Sequence, residues 1–152
     1  MTTDQQLADA ARAIIDASLY MVLATADRSG RPWATPVYFA PRGYRELLWV
    51  SDPGARHSLN IEERAEVGIV IFDSSVPIST GQGVYISANA EELTGPERED
   101  ALAVFSQRTL AHGGREFALA DIEAPEERRL YHALAVEQFI LDEHDERLSV
   151  SL

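Results

Sequence analysis

The chain has 152 residues, 45% hydrophobic and 25% charged, an ordinary balance for a globular protein with one continuous core. It contains no cysteine, which removes disulfides, thiolate metal sites and cysteine nucleophiles from consideration. Its formal net charge of −12 repels phosphate backbones and argues against nucleic acid as a partner.

The first residues, Met1-Thr2-Thr3-Asp4-Gln5-Gln6, lack the basic start and apolar stretch of a signal peptide. Residues 4–18 read as a helix, with Leu7, Ala10, Ala11, Ile14 and Ile15 forming one apolar stripe. Tyr20-Met21-Val22-Leu23-Ala24-Thr25 is a short strand that runs into the turn cluster Asp27-Arg28-Ser29-Gly30. Residues 33–39 form the second strand, closed by Pro41-Arg42-Gly43, and Glu46-Leu47-Leu48-Trp49-Val50 the third. Short loops between them predict antiparallel hairpins.

Ser51-Asp52-Pro53-Gly54 then starts a helix, with Ser or Asp as cap and Pro in the first turn, carried on by residues 59–65. Val67-Gly68-Ile69-Val70-Ile71-Phe72 is almost wholly apolar, which predicts a strand buried on both faces. A polar loop, residues 73–82, leads to the strand Gly83-Val84-Tyr85-Ile86-Ser87-Ala88. Beyond Pro96, Leu102, Phe105 and Thr109 share a helical face that His112-Gly113-Gly114 ends, with glycine suited to the cap. Pro125 is read as starting a further helix, with Leu130 and Leu134 at i, i+4, before a last strand at Glu137-Gln138-Phe139-Ile140-Leu141.

Five successive strands interrupted by one short helix argue against a doubly wound parallel sheet. They fit a mainly β antiparallel barrel with peripheral helices, residues 1–152 forming a single domain. No window approaches the ~20 apolar residues that span a bilayer, so no membrane association is expected. Together with the absent cysteines this points to a cytoplasmic location.

Residues 51–60 carry the chemistry. A strand ending at a helix start gathers free backbone N–H groups, and the helix dipole adds positive charge there. Arg56 and His57 fall in the first turn, with the Ser51 and Ser58 hydroxyls close in sequence. Such a turn can cradle a phosphate, and arginine offers it a planar fork. The same pattern also describes an ordinary surface helix with solvated cations.

Other features are weaker. His57, His112, His132 and His144 form no close ligand pair and read as surface or capping residues, so no metal site is expected. Asp142-Glu143-His144-Asp145-Glu146 reads as a solvated charge run. Gly81-Gln82-Gly83 lacks the lysine of a phosphate loop, and its glycines suit a close backbone approach or a bulge. Arg115, after the His112-Gly113-Gly114 break, is a candidate substrate or cofactor contact.

The ordered set Leu23-Ala24-Thr25, Gly30-Arg31-Pro32, Pro36-Val37-Tyr38-Phe39, Leu48-Trp49-Val50-Ser51, Arg56-His57, Val70-Ile71-Phe72, Gly81-Gln82-Gly83-Val84-Tyr85 and Ala90-Glu91 resembles the pyridoxamine 5′-phosphate oxidase-like, FMN-binding split-barrel superfamily. The resemblance covers about residues 15–93. It implies a six-stranded antiparallel split β-barrel and a homodimer with FMN at the interface, contacted by both chains. By position, Thr35-Pro36-Val37-Tyr38 would run beside the flavin ring and Val50-Ser51 would follow on the adjacent strand. Arg56-His57 would meet the phosphate, and Gln82 would hydrogen-bond the flavin from the partner subunit.

The implied activity is an FMN-dependent oxidation or reduction of a small molecule. A deazaflavin coenzyme is the alternative cofactor, although few cations are present to line a groove for its acidic tail. A non-enzymatic flavin- or haem-binding module is the third reading. Departures from the family pattern narrow the substrate. His57 stands for the usual lysine, Thr35 for an arginine of the true oxidases, and Ala40 for their substrate-contacting lysine. Arg147-Leu148-Ser149 only faintly echoes their C-terminal motif. Pyridoxamine phosphate oxidation is therefore not expected.

Overall fold

A computed structural model describes residues 3–152. Helix α1 (Thr3–Ala17) leads into β1 (Tyr20–Ala26), β2 (Pro32–Tyr38), β3 (Ala40–Arg42) and β4 (Glu46–Ser51). Helix α2 (Arg56–Glu63) precedes β5 (Glu66–Phe72) and β6 (Gly83–Glu92). Helix α3 (Glu97–Ala111), a 3-10 turn at Leu119–Ile122, β7 (Arg129–Leu141) and β8 (Arg147–Ser149) complete the chain.

All pairings are antiparallel, in the order β2-β1-β5-β6-β7-β4-β3, with β8 added to β7. Strands β2 and β3 lie at opposite edges of this sheet, yet only Phe39 separates them in the chain. Covalent continuity therefore holds the two edges together, and the sheet curls into a barrel. Strands β2 and β4 approach each other without a hydrogen-bonded ladder, which leaves the barrel split there. The mainly β antiparallel split barrel expected from the sequence is what forms. It has eight strands rather than six, because the three-residue β3 and β8 add to the main set.

The barrel interior is filled by alternate residues of the strands, among them Met21, Leu23, Ile69, Ile71, Val84, Ile86 and Trp49. This is the period-2 burial of a sheet with one packed face. Ala11 and Ile15 of α1 enter the same cluster, and so does Ile61 of α2. Helix α1 runs directly into the start of β1, whereas α2 is tied to its end: Asn60 Nδ2 donates to Thr25 Oγ1 at 3.0 Å, and Glu63 accepts from the Arg28 N–H. The two helices thus seal opposite ends of the barrel. Helix α3 covers a second apolar cluster outside it, where Leu102 and Phe105 pack on Ala40, Leu48 and Leu130. Arg108 of α3 fastens this layer to α1 by donating to the carbonyls of Ile15, Asp16 and Ser18.

Three sequence expectations are corrected. Pro125 starts no helix; the Ala124–Pro125 peptide is cis and residues from Arg129 onward belong to β7. The Leu130–Leu134 spacing of four is even, so it fits the period of a strand as well as that of a helix. Pairing with both β4 and β6 makes it a strand. Next, β5 is not buried on both faces within one chain: Val67, Ile69 and Ile71 are buried, while Phe72 is 49% exposed. Finally, His132 is no surface residue. It is buried, with Nδ1 2.7 Å from Glu46 Oε2 and Nε2 3.0 Å from Glu91 Oε1. Burial works to raise the Glu46 pKa, but hydrogen bonds from Arg42 and His132 outweigh it and hold the carboxyl below its ordinary value.

No helix among the described residues is long and apolar enough to cross a membrane.

Candidate functional site

Strand β4 delivers Ser51 to the end of the barrel that α2 seals. The helix begins later than the sequence suggested. Asp52 does not cap it; its Oδ1 accepts from the Gly54 N–H at 2.7 Å, and its carbonyl accepts from Ala55 N. Pro53 therefore lies in this preceding turn. The N-cap position falls to Ala55, which has extended backbone and no capping side chain. No acidic residue occupies the first turn of α2. Backbone N–H groups at a helix start without a cap are left for water or a ligand.

Arg56 is exposed and its guanidinium lies 4.3 Å from the centre of the Trp33 ring. Among the described residues no carboxylate lies within ion-pairing distance of it, although the chain carries 25 acidic residues. Its planar fork is held by the indole face with its N–H donors uncommitted. His57 is partly buried and its Nε2 lies 3.0 Å from Ser51 Oγ. Burial alone lowers its pKa below the ordinary 6.5. At neutral pH His57 is therefore an uncharged hydrogen-bonding group, and Arg56 supplies the fixed charge. Ser58 does not join them, because it is buried on the inward side of α2 beside Tyr131.

The remaining residues expected at the site are spread along the sheet. Val37 is buried in the barrel core, so its side chain is not available to a ligand. Thr35 lies opposite Leu23 and Pro36 opposite Val22 in the β1–β2 ladder. Tyr38 and Val50 pack against the outer cluster under α3, on the other side of the sheet from the barrel core. The Tyr38 hydroxyl lies 2.9 Å from His112 Nδ1, at the opposite end of β2 from Trp33. His112 and Gly113 close α3 as a cap, Gly113 with φ +82°. Arg115 is engaged by Asp121 at 3.3 Å and lies over the Phe117 ring. Gln82 is exposed just before β6. The β1–β5–β6 register puts it at the far end of the sheet from α2 of the same chain.

The structure thus brings Ser51, Arg56 and His57 together and leaves Tyr38, Val50 and Gln82 apart from them. It adds Trp33, which the sequence places only within the strand at residues 33–39. Its signal was parity: in β2 it shares a face with Thr35 and Val37, yet it sits at the strand's open end.

These features define a split-barrel protein whose second helix starts uncapped beside an unpaired arginine. The sequence profile described as pyridoxamine 5′-phosphate oxidase matches residues 7–139, and the chain belongs to that family. No functionally curated protein matches the sequence.

Solved structures agree on the fold. HutZ, described as the heme storage protein from Vibrio cholerae, superposes with a TM-score of 0.70 at 17% identity, covering 88% of this chain and 94% of that one. A heme binding protein from Mycobacterium smegmatis gives 0.76 at 18% identity, covering 99% of this chain but 59% of its own longer chain. A candidate pyridoxamine 5′-phosphate oxidase from Listeria innocua gives 0.66 at 15% identity, covering 88% and 96%. At these identities the likeness concerns the fold alone.

Proposed function

We propose that this protein is an FMN-binding oxidoreductase of a small molecule, with the flavin phosphate at the start of α2. The observation that carries the reading is Arg56, an unpaired guanidinium beside an uncapped helix start in a chain of net charge −12. Both features favour a bound anion. Ser51 and His57 would add hydrogen bonds, and Thr35, Pro36 and the backbone of Val37 would line the path of the ring system. The flavin would supply hydride or electron transfer, with the protein providing position and charge.

The site is completed by a second copy of the chain in this reading. The outer face of β1, β5 and β6 is apolar and uncovered: Tyr20 is 60% exposed, and Val22, Ala24, Val70, Tyr85 and Phe139 line a depression of about 480 Å³. Covering it in a homodimer would also let the partner bring Gln82 to a cofactor its own chain does not reach. The substrate is not pyridoxamine phosphate: Thr35 offers no cation, and Ala40 is fully buried under α3.

A second reading, haem binding without turnover, is supported by the heme descriptions of the Vibrio and Mycobacterium proteins. The purified protein distinguishes the two. Flavin absorption and saturable FMN binding are expected. Binding of haem with no FMN binding would replace the first reading by the second, and a deazaflavin released on denaturation would change the cofactor but keep the phosphate site.

A further inference from the structure

Arginine side chains at helix starts are long and mobile, and holding one in a single geometry costs rotamer freedom. The Arg56 guanidinium nevertheless lies over the Trp33 ring, 4.3 Å from its centre, on a different element of the fold. Trp33 is the second residue of β2 and pairs with Thr25 of β1. Thr25 Oγ1 accepts from Asn60 Nδ2 at 3.0 Å and reaches the Trp33 carbonyl at 3.5 Å. Thr25 and Asn60 are both buried. A buried polar chain therefore fixes the distance between the backbone of Trp33 and the helix that carries Arg56.

We infer that Trp33 is a positioning residue for the phosphate site, a shelf that holds the Arg56 fork beside the α2 start. This rests on the reading of α2 as the phosphate site. The indole face attracts the guanidinium through its quadrupole and leaves the in-plane N–H donors free. A carboxylate in the same place would hold the arginine equally well but would consume those donors and cancel its charge. The stack thus solves a problem specific to this acidic chain: it orients a cation without neutralising it. His57, uncharged at neutral pH, leaves the site dependent on that one fork.

Affinities for FMN and riboflavin, measured by quenching of flavin fluorescence, isolate the phosphate contribution as a ratio. Trp33→Ala is expected to reduce the FMN preference about five- to tenfold, leave riboflavin affinity unchanged, and be rescued in large part by Trp33→Phe. In the ligand-free protein, the Arg56 side-chain protons should show an upfield ring-current shift that Trp33→Ala abolishes. Equal losses for FMN and riboflavin, or no ring-current shift, would overturn the role of Trp33. Arg56→Ala separates the two levels: if it leaves the FMN-to-riboflavin ratio intact, the phosphate site itself is misplaced. If it collapses the ratio while Trp33→Ala does not, only the shelf is wrong.

Discussion

Helices α2 and α3 begin in opposite electrostatic fashion. The first turn of α3 carries Glu97, Glu99 and Asp100, which complement its positive end. The first turn of α2 carries no acid and places Arg56 and His57 there instead, behind an Ala55 N-cap without a side-chain bond. In isolation the α2 arrangement is the less stable one. Neither N-cap, Ala55 or Pro96, makes a side-chain bond, so the difference lies in the charges: a cation at a helix start is unfavourable by a few tenths to about 1 kcal/mol. In a chain with nearly twice as many acids as bases, composition would sooner have produced the α3 arrangement. An incoming anion would relieve that deficit, which is the support for the proposed phosphate site.

That contrast can be broken in several ways. The largest effect is expected from Arg56→Ala, which should weaken FMN by about 1.5–3 kcal/mol, the scale of a charged hydrogen bond, with little change in thermal stability. Placing an acid at the α2 start should move stability and binding in opposite directions. Ala55→Asp supplies the missing cap and is expected to stabilise the fold by about 1 kcal/mol while lowering FMN affinity, read by thermal unfolding and titration of the same sample. Restoring a charge with His57→Lys should tighten FMN by up to about 1 kcal/mol and leave riboflavin unaffected.

The smallest effect is on the pH dependence of stability. Because burial depresses the His57 pKa, the unfolded chain takes up the proton first on acidification. The contribution is fully present above the ordinary value of 6.5 and is lost as pH falls through it towards the folded-state value. His57→Gln should flatten that part of a denaturation-midpoint profile.

Much of the fold was legible because short apolar runs ended at turn residues, as in β1, where Tyr20-Met21-Val22-Leu23-Ala24-Thr25 runs into Asp27-Arg28-Ser29-Gly30. The failure after Pro125 arose where spacing was degenerate: Leu130 and Leu134 satisfy both periods, and only the two flanking strands decide. The exposed face of β5 was misread because its residues are apolar whether they point inward or outward, so composition does not separate the two faces. At the site, Arg56, His57 and Ser51 were legible from a strand running into a helix. Trp33 was not, since its contact with Arg56 joins residues that only the fold brings together. The departures from the family pattern also change weight. All 13 basic residues are arginine, so the missing lysines at His57 and Ala40 belong to a chain-wide absence of lysine. Thr35 has no such explanation, so of these departures it is the one that supports the proposal of another substrate.

The most direct test of the α2 site is titration of the cofactor-free protein with FMN, with riboflavin in parallel, for the unaltered chain and for Arg56→Ala. Saturable FMN binding, a clear preference over riboflavin and loss of that preference in the variant are the predicted results. Equal affinity for FMN and riboflavin in the unaltered chain, or an FMN preference untouched by Arg56→Ala, would contradict the account.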